Sequence, residues 1–235
     1  MLSQELTVII ATKNAEENIF KAVESILSQR YVPKVLIIDS MSNDNTIPIV
    51  SSFNDQQVSY VSEIDGGIYD AFNKGIRLVT TQYYMIIGSD DCLTDNASEV
   101  IKNSLDAFKK EIIFFSVGQR KKVRPWMSFL GAGNMVPGHS CGMIIDKSVH
   151  DKIGFYDTNF KISGDALFIK EIFRRRISWV FVKKQIGNFS SSGISNTKVF
   201  ETLAENFRVQ LLTEKFKFLQ FFLYLLKLVK NYKKL

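Results

Sequence analysis

Two adjacent carboxylates, Asp90 and Asp91, follow the apolar run Tyr83 to Gly88, and other acids end similar runs. Asp39 closes Lys34 to Asp39, while Glu63 and Asp65 follow Val58 to Ser62. Carboxylates gathered at one mouth repel one another unless a cation or hydrogen-bond donors offset the charge. Asp90 and Asp91 are therefore a candidate site for Mg2+ or Mn2+, hard ions that bind through one or two carboxylates plus substrate phosphates. The bland alternative is that the pair ends a strand and caps a helix starting near Asp95. Asp39 stands before Ser40-Met41-Ser42-Asn43-Asp44, where it would support a turn or accept a ribose hydroxyl or a pyrimidine ring N–H. Asp165 follows Gly164 and opens an apolar, helix-like stretch ending in Arg174-Arg175-Arg176. A carboxylate in a first helical turn is favoured as an anion by the dipole and so stays available to accept a proton, or it only stabilises the helix start.

The elements that must position these acids alternate. Leu6 to Ala11, Lys34 to Asp39, Val58 to Ser62 and Tyr83 to Gly88 read as short buried strands with polar ends. Between them Glu16 to Gln29, Thr46 to Phe53 and Tyr69 to Val79 carry apolar residues at helical spacing. Such a β-α-β-α succession yields a right-handed parallel sheet covered by helices, with ligands at the carboxyl ends of the strands. Farther on, Ile112 to Val117, Gly142 to Ile145 and Trp179 to Val182 are strand candidates among loops rich in Gly, Asn and Ser. The chain divides into a core, 1–214, and a tail, 215–235. Within the core, about 1–100 reads as a nucleotide-binding half and about 101–190 as the half that should hold the acceptor.

Four segments in this order resemble family 2 glycosyltransferases of the GT-A fold, which are inverting enzymes. They are Thr7 to Asn14, Ile37 to Thr46, Asp65 to Gly75 and Gly88 to Asp91. The resemblance covers most of residues 5–185 and weakens after about residue 100. It implies an α/β, Rossmann-like and mostly parallel sheet flanked by helices, with a nucleotide-sugar site formed by Thr12, Asn14, Asp39, Asp65, Asn73, Lys74 and Asp90. It also implies a divalent cation, Mn2+ or Mg2+, at Asp90 and Asp91, and a general base at Asp165. The family's usual Asp-x-Asp would have an acid where this chain has Gly88, and Asp91 is expected to supply what Gly88 lacks. His139, in Pro137-Gly138-His139-Ser140-Cys141, is by itself more often a hydrogen-bonded structural residue; the resemblance makes it an acceptor- or diphosphate-binding residue. The implied reaction moves a sugar from a nucleoside-diphosphate sugar to a saccharide hydroxyl in capsule, O-antigen or exopolysaccharide synthesis, with a polyisoprenyl-diphosphate-linked acceptor.

Charge and length narrow the choice further. The net charge is +6, yet residues 215–235 hold six lysines and no acid, so the remainder is balanced. A nucleic-acid binder would carry its basic residues as a face of the folded domain, and no nucleic-acid partner is expected. Phe218 to Leu226 is an uncharged run of nine residues, too short for a spanning helix of about 20. It reads as an amphipathic helix lying on anionic lipid, aided by Lys227, Lys230, Lys233 and Lys234, or packed on the domain or on a second copy in a homodimer. Two cysteines make neither a disulfide framework nor a zinc site, and no secretory signal is evident. The expected location is cytoplasmic, peripheral on the inner face of the membrane. A sugar-phosphate nucleotidyltransferase would show a Gly-rich basic loop where this chain has Thr12-Lys13-Asn14-Ala15-Glu16. The other rival is a membrane-attached binding module that has lost catalysis.

Overall fold

In the computed structural model, residues 2–116, 122–136, 142–188 and 197–232 are described. Strands β1 (Leu6–Thr12), β2 (Lys34–Asp39), β3 (Val58–Ser62) and β4 (Tyr83–Gly88) alternate with helices α1 (Ile19–Leu27), α2 (Thr46–Ser52) and α3 (Ile68–Leu78). The short strand β5 (Cys92–Leu93) and helix α4 (Ala97–Ala107) follow. The second half contains β6 (Ile112–Ser116), a 3-10 segment Pro125–Leu130, α5 (Ala132–Met135), β7 (Met143–Asp146), α6 (Val149–Ile153) and α7 (Gly164–Arg174). Then come β8 (Trp179–Gln185), β9 (Gly187–Asn188), α8 (Val199–Thr213) and α9 (Lys217–Asn231).

Seven strands form one sheet in the order β3-β2-β1-β4-β7-β6-β8, and β5 pairs with β9 in a small antiparallel ribbon. The first four strands are parallel and in register, and β6 and β8 are parallel. Only β7 runs antiparallel to its neighbours β4 and β6. The expected mostly parallel α/β sheet is present, and the strand boundaries read from the sequence hold to within three residues.

Period-two alternation divides the core into two layers. Ile9, Ile38, Ile86 and Phe114 face one side, with Tyr69, Phe72 and Ile76 of α3 and Phe168 and Ile172 of α7. Val8, Ile10, Ile37, Ile87 and Ile113 face the other, with Ile19, Val23 and Ile26 of α1 and Ile101 of α4. A sheet buried on both faces needs strands apolar throughout, which accounts for their near-continuous Val and Ile content. The sequence expectation contained no helix at Val199–Thr213. Only Val209 and Gln210 of this helix are buried, so its pattern lacks a clean apolar stripe.

The tail forms the expected amphipathic helix. One side of α9 rests on α8: Phe207 stacks on Tyr224 at 4.4 Å, and the buried Gln220 accepts a hydrogen bond of 2.9 Å from Gln210. The other side is open, with Phe218 95%, Val229 70% and Phe222 57% exposed. Among the described residues, no helix is long and apolar enough to cross a membrane.

Candidate functional site

The register of the parallel strands sets out the site. Thr12 pairs with Asp39, Asp39 with Ser62, and Ala11 with Gly88, so the polar strand ends form one row at the carboxyl edge. Asp39 is fully buried and accepts from the Ser42 backbone N–H at 3.0 Å, from the Ser62 hydroxyl at 2.6 Å and from the Ser42 hydroxyl. Thr12 is 6% exposed, and its hydroxyl has no hydrogen-bond partner among the described residues. A buried polar atom left unpaired costs about 1–3 kcal/mol. It stands in the same row of strand ends as Asp39.

The loops after β1 and β2 are latched together. Asn14, with a positive φ of 50°, accepts from the Asn43 N–H at 3.0 Å, and its own N–H donates to the Ser42 hydroxyl at 2.7 Å. Asn is among the residues that adopt this backbone region most readily, and its short amide bonds locally. The Asn14 side chain thus shapes the rim, and Glu16 completes the latch by accepting from the N–H and the amide of Asn45 at 2.9 and 2.8 Å.

Asp65 accepts from the Gly67 N–H at 2.9 Å, turning the chain into α3. Lys74 reaches back from α3 to donate to the Ile64 carbonyl at 2.7 Å, and it pairs with Glu63 at 3.0 Å and Asp70 at 3.6 Å. The Glu63 hydrogen bond, with the neighbouring acid charges, raises the Lys74 ammonium above its ordinary value. Lys74 therefore fastens the loop carrying Asp65. Asn73, expected near the nucleotide, turns inward: it is 3% exposed, and its amide donates to the Tyr156 carbonyl at 2.8 Å and accepts from the Tyr156 N–H at 3.0 Å. The structure joins Asn73 to the core beneath the site.

After β4 the chain turns so that the Asp91 carboxylate accepts from the Gly88 N–H at 2.9 Å. A Cβ at Gly88 would lie 2.7 Å from Asp90 Oδ1 and 3.1 Å from Asp91 Oδ2. Both carboxylates therefore converge on the space that a side chain at position 88 would enter. Among the described residues, no group of three or more His, Cys, Asp and Glu side chains is arranged to hold a metal. Two converging carboxylates nevertheless suit Mg2+ or Mn2+, which leave other positions to phosphates and water.

Asp165 lies in the first turn of α7 and meets the first turn of α3. Its Oδ1 accepts from the Ala166 N–H at 2.8 Å and lies 3.2 Å from the Tyr69 hydroxyl, which donates to the Ile162 carbonyl at 2.6 Å. Burial, then the Asp165 charge, pushes the Tyr69 phenol well above its ordinary range, so it remains a neutral donor. Gly164 is required by this contact, since a Cβ there would be 2.9–3.0 Å from the Tyr69 ring. Behind Asp165 is a small cavity lined by Phe72, Met143, Tyr156 and Phe168. A wider surface groove lined by Arg30, Tyr31 and Asn54 to Gln57 lies at the amino end of the strands, away from this mouth. His139 falls outside the described residues, as do Lys233 and Lys234.

A model of glycosyl transferase family 2 matches residues 7–177. The chain belongs to this family. It is 28% identical over 213 residues to the poly-beta-1,6-N-acetyl-D-glucosamine synthase of Staphylococcus epidermidis, covering 77% of this chain and 51% of that protein. Among other curated relatives it spans as little as 22% of the length. Its fold is similar to that of S. aureus TarS 1-349, solved in complex with UDP-GlcNAc, with a TM-score of 0.69, 15% identity and coverage of 97% of this chain and 73% of that chain. Glucosyl-3-phosphoglycerate synthase from Mycobacterium tuberculosis, solved with Mn2+, UDP and glucosyl-3-phosphoglycerate, gives a TM-score of 0.65 at 13% identity, covering 86% of this chain and 77% of that one. These likenesses place the GT-A fold on the family member described here.

Glu205 carries no sequence signal. It lies on α8, and its carboxylate binds the backbone just ahead of Asp165. No local motif marks it, because its partners are 42 to 44 residues away.

Proposed function

We propose that this chain transfers a sugar from a nucleoside-diphosphate sugar to a hydroxyl of a saccharide acceptor, with inversion at the anomeric carbon. The observation that carries the reading is the row at the strand ends: the Thr12 hydroxyl, without a hydrogen-bond partner among the described residues, beside Asp39, and the converging Asp90 and Asp91 carboxylates. Thr12 and Asp39 would bind the nucleoside, and Asp90 and Asp91 would hold a divalent cation. When bound, that cation would offset the charge of the diphosphate as it leaves. Asp165 would take the proton of the acceptor hydroxyl as its oxygen bonds to the anomeric carbon. The bond from that carbon to the diphosphate oxygen breaks on the opposite face, and the electron pair leaves with the nucleoside diphosphate. Tyr69 would keep the Asp165 carboxylate aimed at the acceptor.

The acceptor is proposed to be a saccharide on polyisoprenyl diphosphate, met at the cytoplasmic face of an anionic membrane during surface polysaccharide synthesis. The support is the open apolar side of α9, flanked by lysines and free of acids, together with the polysaccharide-synthase relative. Burial of Phe218, Phe222 and Val229 in the interface and attraction of exposed Lys230 to anionic headgroups would act together, whereas Lys227 is half-buried and donates to the Leu130 carbonyl.

A panel of nucleotide sugars, with UDP-N-acetylglucosamine first in view of the TarS complex, tests the reading. Each is assayed with and without Mn2+ for released nucleoside diphosphate and for donor-induced thermal shift. A donor that both stabilises the protein and is turned over in a cation-dependent way is the expected result. A panel in which none shifts the melting temperature or releases nucleoside diphosphate would sink it.

A further inference from the structure

Loop 161–163 has three consecutive backbone N–H groups directed at one carboxylate. Lys161 N–H donates to Glu205 Oε1 at 2.9 Å, and those of Ile162 and Ser163 both donate to Oε2 at 2.8 Å. Ser163 precedes α7 without capping it through its own hydroxyl, so the backbone entering the helix is held from outside. Ile162 is gripped on both sides, its N–H by Glu205 and its carbonyl by Tyr69, whose hydroxyl also lies 3.2 Å from Asp165 Oδ1. A continuous path therefore runs from Glu205 through Ile162 and Tyr69 to Asp165.

We propose that Glu205 is a positioning residue for the reaction: its carboxylate fixes loop 161–163 and thereby the direction in which Asp165 presents its carboxylate. The inference rests on the reading of Asp165 as the general base. Three hydrogen bonds to one carboxylate clamp the backbone that enters α7. Buried Lys170 of α7 donates to Gln210 of α8 and, at 2.6 Å, to Glu214 just past its end, which holds the same two helices together farther along. Loss of Glu205 therefore frees the loop while α7 stays docked. Chemistry that depends on alignment is sensitive to this, since a displacement of about 1 Å at a catalytic group can reduce turnover about a hundredfold.

The test compares Glu205→Ala, Glu205→Gln and Asp165→Asn in the full chain, using the nucleotide sugar that gives turnover in the panel. Glu205→Ala is expected to lower kcat about a hundredfold with donor affinity unchanged. Glu205→Gln keeps one acceptor oxygen but turns an N–H2 toward a backbone N–H, so its loss is intermediate. In both variants the amides of 161–163 should exchange faster with deuterium, a readout that needs no substrate. The deciding comparison is the double variant: adding Glu205→Gln to Asp165→Asn should lower kcat no further, because a residue acting through Asp165 has nothing left to position. If Glu205→Ala does not fold, Glu205→Gln carries the same comparisons. Unchanged kcat, unchanged amide exchange, or a loss that multiplies with that of Asp165→Asn would overturn the proposal. Wild-type turnover in Asp165→Asn would instead overturn the assignment of the base, whatever the Glu205 variants do.

Discussion

Replacing Gly88 by alanine adds one methyl group where the two candidate metal-binding carboxylates meet. The new Cβ would lie 2.7 Å from Asp90 Oδ1 and 3.1 Å from Asp91 Oδ2, both closer than an ordinary contact. The turn after β4 is tight, so the carboxylates must swing away. The Asp91 carboxylate has to give by a few tenths of an ångström, which strains its 2.9 Å bond from the Gly88 N–H. A hydrogen bond to a charged group contributes about 1.5–3 kcal/mol, and in a chain of this size each kcal/mol moves the melting temperature about 2–4 °C. The expected drop is therefore at most roughly 12 °C, the value for complete loss of that bond. Separating two carboxylates that had converged on one point should also weaken cation-dependent donor binding about tenfold, equivalent to about 1.4 kcal/mol. Differential scanning fluorimetry and calorimetric titration of donor with Mn2+ measure the two effects. Gly88→Asp, which restores the family's usual acid, should be worse, because it adds a third negative charge to the same crowded space. If Gly88→Asp tightens donor binding, position 88 is open to a ligand and the geometric argument is wrong.

Three further outcomes are expected. Asp165→Asn should reduce turnover about a hundredfold or more while leaving donor affinity intact; equal losses in both would make Asp165 a binding residue, as single-turnover rates and donor titration would reveal. Phe218→Ser with Phe222→Ser on the open side of α9 should reduce co-sedimentation with anionic vesicles while circular dichroism stays unchanged, and the wild type should dissociate further as salt is raised; undiminished pelleting of the double variant would place the membrane contact elsewhere. His150 is held between the Tyr84 hydroxyl at 2.7 Å and the Gly154 carbonyl at 2.9 Å, and burial lowers its pKa below the ordinary 6.5. Below pH 6.5 the unfolded chain thus binds more protons than the folded one, so this part of the stability is complete above that pH and lost as pH falls. Urea midpoints for wild type and His150→Gln across this range check it; an identical pH slope in both would exclude His150 as the source.

Strand composition and spacing made the first half of the fold legible. Leu6–Thr12, Lys34–Asp39, Val58–Ser62 and Tyr83–Gly88 are short apolar runs ending in polar residues, and the helical spacing between them leaves a parallel sheet as the economical way to bury both faces. The same logic put Thr12, Asp39, Asp90 and Asp91 at one edge, because parallel strands in register bring their carboxyl ends together. Residue types and local periodicity report which face of an element a side chain occupies, and that information was enough. They carry no record of which distant group it meets. Only the tertiary structure decided that the Asn73 amide binds the Tyr156 backbone, that both Asp90 and Asp91 close over Gly88, and that Tyr69 of α3 reaches Asp165 of α7 across 96 residues. Glu205 shows the limit most clearly. Its helix lacks a strong apolar stripe, and its three partners are backbone N–H groups, which every non-proline residue possesses; their convergence arises from the packing of α8 against the entry to α7.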